Sequence, residues 1–274
     1  MPRYKLTIEY DGGGFVGWQR QENGLSVQQA LEEAIKKFCG KATTLFGAGR
    51  TDTGVHALGQ VAHFDLAEAA EVDTVRDAIN FHVRPAAISI LAAEQVDDDF
   101  HARFSATERA YLYRILNRRP PPVLDKGRVW HLIAPLDSEA MDKAAQALVG
   151  FHDLTSFRSV HCQAESAKKT VCRIEVTRQN EEIRLLLRAP SFLHNQVRII
   201  AGTLAWVGEG KWSPGDVADA LAARNRTASG PTAPPEGLYF LEAVYEKKRG
   251  QEKEGIARQE HLRERLRRSG SHEV

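Results

Sequence analysis

The stretch LFGAGRTDTGVHALGQVAHFDL, residues 45–66, decides how the rest of the chain is read. Arg50, Thr51, Asp52, Thr53 and His56 crowd into one short segment, and Gly47, Gly49 and Gly54 punctuate it. The alternating run from Gln60 to Leu66 predicts a strand. A glycine-rich turn explains the Asp and Thr side chains, which bond local backbone, but it requires neither an arginine nor a histidine. Asp52-Thr53-Gly54 also spells the triplet of aspartic proteases. Those enzymes share a proton between two carboxylates. The chain has a single such triplet, preceded by Gly-Arg-Thr rather than an apolar strand.

Outward from this segment the pattern alternates between strands and helices. RYKLTIEY, residues 3–10, places Tyr4, Leu6, Ile8 and Tyr10 on one face and predicts a half-buried strand. Ser26, with Gln29 three residues later, opens a helix that Gly40 stops. Strand-like pieces at 43–48 and 60–66 bracket the polar segment. A second helix is expected at about 73–82 and a strand at 87–96. From about 105 the plan repeats. ERAYLYRILN is a strand with Arg109, Tyr111, Tyr113 and Ile115 on one face. RPPPV is a loop, DSEAMDKAAQALVG a helix, and VCRIEVTRQNEEIRLLLRA a hairpin turning at Gln179-Asn180. SFLHNQVRIIAGTLAWVG is a long helix and GLYFLEAVYE a last strand. This predicts an α/β (α+β) chain of two related lobes, 1–104 and 105–246. Each lobe has a mainly antiparallel sheet with helices on one face, the other face being open. Residues 247–274 form a charged tail too polar to bury a core.

Charge narrows the choice of partner. The chain of 274 residues carries 37 Lys+Arg against 36 Asp+Glu. The tail holds nine basic and five acidic residues, and within the remaining acidic body the segment 101–128 has a net charge of +5. A basic stripe on a near-neutral protein fits a polyanion, and Arg109 and Arg114 are expected among the groups that grip phosphates. No apolar run reaches the ~20 residues of a membrane span, and MPRYKLTIEYDG lacks the apolar core of a signal peptide. Cys39, Cys162 and Cys172 are too scattered for a disulfide framework or a metal cluster, and predict free thiols in a cytoplasmic protein.

GRTDTGVHA, residues 49–57, resembles the active-site motif of the TruA family of tRNA pseudouridine synthases. The resemblance continues through EYDGGGFVGWQRQ (9–21), DDFHARFSATERAYLYRI (98–115), FHDLTSFRS (151–159), FLHNQVRIIAGTLAWVGEG (192–210) and EGLYFLEAVY (236–245). It implies the pseudouridine synthase fold with an RNA-binding cleft between the lobes, and an isomerase that detaches uracil from its ribose and rejoins it through C5. The implied substrate is the anticodon stem-loop of tRNA, positions 38–40. The implied assembly is a homodimer working without metal or cofactor. By the same resemblance Asp52 is the catalytic carboxylate, Tyr111 packs on the flipped uracil, and Arg198 meets the carboxylate from the second lobe. Arg50 either pairs with Asp52 or takes the target's place in the RNA stack. His56 is expected to serve structure or RNA contact. QAESAKKTVCR, 163–173, departs from the family, presenting Lys168 and Lys169 where relatives commonly carry an arginine. The rival reading is a non-catalytic RNA-binding module on the same sheet, and Asp52 argues against it: a phosphate-binding surface gains nothing from a central carboxylate.

Overall fold

The computed structural model describes residues 1–246; the charged tail 247–274 lies outside the described residues. In chain order the elements are β1 (Arg3–Tyr10), α1 (Val27–Cys39), β2 (Phe46–Gly47), β3 (His56–Asp65), α2 (Val72–His82), β4 (Ile88–Val96), β5 (Ala106–Asn117), β6 (Trp130–Leu132), α3 (Ser138–Ala145), β7 (Gly150–Asp153), β8 (Lys168–Val171), β9 (Arg173–Gln179), β10 (Glu182–Ala189), α4 (Gln196–Gly208), α5 (Pro214–Ala223) and β11 (Leu238–Tyr245). Among the described residues no helix is long and apolar enough to cross a membrane.

Local chemistry explains most of these boundaries. In β1 the predicted alternation holds at every position: Tyr4, Leu6, Ile8 and Tyr10 are buried and their neighbours are not. Each such side chain contributes about 1.5–3 kcal/mol by leaving water. Ser26 Oγ accepts from Gln29 N at 3.1 Å and starts α1, while Gly40 ends it at φ 74°. The Gln29 amide turns instead to Glu33, 2.9 Å away. The β9–β10 hairpin turns one residue later than the sequence suggests, through Asn180 at φ 54° and Glu181, with Gln179 paired to Glu182. Helix α4 begins at Gln196 rather than Ser191, because Asn195 adopts a left-handed conformation, φ 61°. Helix α5, absent from the sequence reading, starts at Ser213, whose hydroxyl and amide both bond Asp216.

One largely antiparallel sheet runs in the order β4-β1-β3-β11-β5-β10-β9, with β2 added to β3 and β6 to β5. β1 pairs antiparallel to β3 and β4, and β10 antiparallel to β5 and β9. The last strand enters in the middle, where Tyr239 and Phe240 of β11 run parallel to His56 and Ala57 of β3. The mixed α/β class with mainly antiparallel pairing is as the sequence reads. The sheet's centre, however, is not open on its second face. Residues 109–113 of β5 are buried without interruption. Their alternate members meet loops: Arg109 donates to Ala48 O, and Tyr113 OH donates to Pro234 O at 2.7 Å. These loops carry the functional candidates.

Candidate active site

Asp52 sits in a loop pinned from several directions. Trp18 N donates to Thr51 O at 3.0 Å, Thr53 Oγ1 to Val16 O at 3.0 Å, and Gln60 Nε2 to Gly49 O at 2.9 Å. The hydroxyls of Tyr10 and Thr51 are 2.8 Å apart. Gly54 turns the loop at φ 78°, and Gly12 lets a second loop approach so closely that a Cβ there would stand 2.0 Å from Val55 O. Val55 N closes back on Asp52 O at 3.1 Å. The backbone is therefore fixed while the Asp52 side chain keeps about 30% of its surface exposed.

Two cationic or potentially cationic groups flank that carboxylate. Arg198 Nη1 donates to Asp52 Oδ2 at 3.3 Å, and His194 Nε2 lies 3.3 Å from Oδ1. Arg198 is itself fixed, its Nε donating to Ala233 O at 2.7 Å and its Nη1 to Asn195 Oδ1 at 3.0 Å. It is the one charged residue of α4, a helix otherwise largely apolar and buried nearly all round. His194, missed by sequence reading, projects from the turn before α4. The left-handed Asn195 that delays the helix leaves His194 at its mouth. The only sequence signal for it is a position four residues before Arg198.

Tyr111 is buried in β5, its ring edge-to-face with Phe192 at 5.0 Å and Phe240 at 5.2 Å. Burial, and then the nearby charges of Tyr10 and Asp52, raise its hydroxyl pKa well above the ordinary tyrosine value. The phenol is thus held protonated, and its oxygen lies against the Asp52 loop, 3.6 Å from where a Cβ on Gly49 would stand. Tyr10 is pushed up to about 12 by the same burial. Arg50 is exposed and pairs with no side chain among the described residues; Asp52 is engaged by Arg198 and His194 instead. Of the predicted site residues, Arg198 reaches Asp52 directly, Tyr111 packs against Gly49 of the same loop, and Arg50 is turned to solvent.

His56 is structural. Its Nδ1 accepts from Gly12 N at 3.0 Å, its Nε2 meets Gly127 O at 3.0 Å, and its ring stacks on Tyr239 at 4.8 Å. Burial lowers its pKa, consistent with a neutral ring donating from Nε2. Two members of the basic stripe also leave the list of phosphate contacts. Arg109 is buried and donates to the carbonyls of Ala48, Arg103, Ala106 and Pro190. Arg114 is tied to Glu182 and Asp125. Charge counting along a strand cannot tell an arginine that faces loops from one that faces water. Arg103, Arg119 and Lys126 remain exposed.

The comparisons with known proteins agree with this geometry. The family model described as tRNA pseudouridine synthase matches residues 6–105 and 144–246. A tRNA pseudouridine synthase A of Parvibaculum lavamentivorans is 60% identical over 246 residues, 90% of this chain and 100% of that protein. One of Rhodospirillum centenum is 60% identical over 245 residues, 89% of this chain and 100% of the other. One of Nitrobacter winogradskyi is 55% identical over 246 residues, 90% of this chain and 96% of the other. The chain belongs to the tRNA pseudouridine synthase family, isomerases that convert uridine to pseudouridine.

Proposed function

We propose that the protein isomerises uridines at positions 38–40 in the anticodon stem-loop of tRNA, acting as a homodimer, with Asp52 as the carboxylate that works on the nucleoside. The observation that carries this reading is the Asp52 carboxylate, partly exposed, flanked at its two oxygens by Arg198 and His194, in a loop whose Gly49 lies against the buried Tyr111. A target base must leave its stack to reach such a site, at a cost of a few kcal/mol. Arg50, exposed and unpaired two residues from Asp52, is positioned to fill the vacated stack or hold a phosphate, which offsets part of that cost. Asp52 acts in detaching uracil from its ribose. Arg198 sets the direction of the carboxylate through its own anchors on Ala233 and Asn195. Tyr111, a neutral phenol in the free protein, takes the C5 proton at its oxygen while its own hydroxyl proton passes to a neighbouring base.

The test is incubation of the purified protein with anticodon-arm RNA labelled in its uridines, followed by nucleoside separation. Pseudouridine confined to positions 38–40 supports the proposal. Pseudouridine elsewhere corrects the target, and tight binding with no product returns the protein to the non-catalytic reading. Sedimentation at micromolar concentration checks the dimer.

A further inference from the structure

Beside the active-site loop lies a group of aromatic rings that the chemistry above does not use. Phe46 stacks on His63 with ring centres 5.1 Å apart, His101 lies 5.6 Å from Phe46, and Phe104 lies 4.4 Å from His101. The guanidinium of Arg103 stands over the Phe104 ring at 5.6 Å. His63 is buried and His101 half-buried, but Phe104 is 75% exposed and Phe46 46% exposed. Such exposure costs free energy unless it meets a partner.

The turn presenting these groups is rigid. His101 Nδ1 accepts from Arg103 N at 3.1 Å and Phe104 N at 3.4 Å, while Ser105 N donates to His101 O at 2.9 Å and Ser105 Oγ accepts from His101 N at 2.9 Å. Buried Arg109 then ties the turn to the active-site loop. Its guanidinium donates both to Arg103 O and to Ala48 O, four residues before Asp52. The turn that carries Phe104 is therefore tied through Arg109 to the strand end that leads into the Asp52 loop.

We infer that Phe104 and Phe46, with Arg103 beside them, form a stacking platform for an unpaired nucleobase of the RNA substrate, outside the pocket that takes the target uridine. This rests on the proposed action on tRNA and deepens it. Two exposed rings with the Arg103 guanidinium at one of them match the base and phosphate of one nucleotide, since every base offers a π-face and arginine adds attraction. They fall far short of the ~800 Å² per partner that a stable protein interface buries. A second copy of this chain is the competing occupant.

Binding of anticodon-arm RNA, followed by fluorescence anisotropy at several salt concentrations, decides it, with sedimentation velocity run in parallel. Phe104→Leu keeps apolar bulk and removes the π-face. It should weaken binding roughly 5- to 150-fold, the range for loss of one stacked base, and leave the salt slope unchanged. Phe104→Trp should bind within a few-fold of wild type. Arg103→Ala should weaken binding and flatten the slope of log K against log salt by about 0.7–0.9. Phe104→Leu binding as tightly as wild type would overturn the platform. A shift of Phe104→Leu from dimer to monomer would also overturn it, assigning the rings to a second copy. The tRNA reading fails separately, if wild-type protein forms no pseudouridine in the same RNA.

Discussion

Arg198 meets Asp52 across 146 residues of sequence, its Nη1 donating to Oδ2 at 3.3 Å while its Nε is fixed to Ala233 O at 2.7 Å. One guanidinium thus fastens the carboxylate to the backbone of a different loop. Arg198→Lys keeps the charge but loses the fork. Turnover should fall about 10²-fold, the effect of displacing a reacting group by about an ångström, with RNA affinity little changed. His194→Gln should cost less, up to about tenfold, since the second oxygen loses one partner. Single-turnover rates on saturating RNA measure both. Equal rates for Arg198→Lys and wild type would remove Arg198 from the positioning of Asp52.

Asp52→Asn keeps shape and removes the anion. Pseudouridine should fall below detection, while RNA affinity holds or rises because a charge that repels phosphate is gone. Product formation by Asp52→Asn at any substantial rate would falsify the assignment.

Tyr111 separates ring from hydroxyl. Tyr111→Phe should bind RNA normally and react ~10²–10⁴ more slowly, as when an acid–base group is lost. Tyr111→Ala should also lose about 3–5 kcal/mol of stability, because the ring fills buried space between Phe192 and Phe240. A Phe variant within a few-fold of wild type would leave Tyr111 as packing alone.

Arg109→Ala tests whether the basic stripe is read correctly as partly structural. Four carbonyls lose their donor, so stability should drop by at least about 3 kcal/mol, or roughly 6–12 °C in Tm. The salt slope of RNA binding should not change. Arg119→Ala, at an exposed position, should leave Tm alone. A flattened slope with unchanged Tm for Arg109→Ala would restore it as a phosphate contact.

His63 makes stability depend on acidity. It is buried, its Nδ1 accepts from Ala102 N at 3.1 Å, and burial, then the nearby His101 and Arg3, lower its pKa from 6.5 to about 4. The unfolded chain binds a proton near pH 6.5 that the folded chain refuses until about pH 4. Stability from this residue is therefore full above about 6.5 and lost as pH falls toward 4, by about 3 kcal/mol in all. Denaturation midpoints of wild type and His63→Gln across this window should converge as pH falls; parallel curves would contradict it.

Sequence reading succeeds where a boundary is set by neighbours along the chain. The alternation of β1 and the Ser26 and Gly40 caps of α1 are local and legible. Asp52 and Tyr111 are legible through long motifs. His194 is not, because its proximity to Asp52 follows from the left-handed turn at Asn195, which no spacing rule announces. Arg109 and Arg114 mislead because alternation names a face without saying what covers it. Helix α5 carries its signals in Ser213, Pro214 and Asp216, but its short apolar face of Val217 and Ala220 is too small to stand out.

β11 closes the sheet from its middle, and with it Phe240 arrives against Tyr111 and beneath Gly49, where a Cβ would stand 2.9 Å from the Phe240 ring. The Asp52 loop precedes, along the chain, the strand that packs beneath it by more than half of the described residues. A nascent chain emerging from the ribosome holds Asp52, Tyr111 and Arg198 well before Phe240, the ring that packs on Tyr111 and against Gly49. Fragments ending before residue 240 should leave Tyr111 and the Asp52 loop without that packing, however well their N-terminal strands pair.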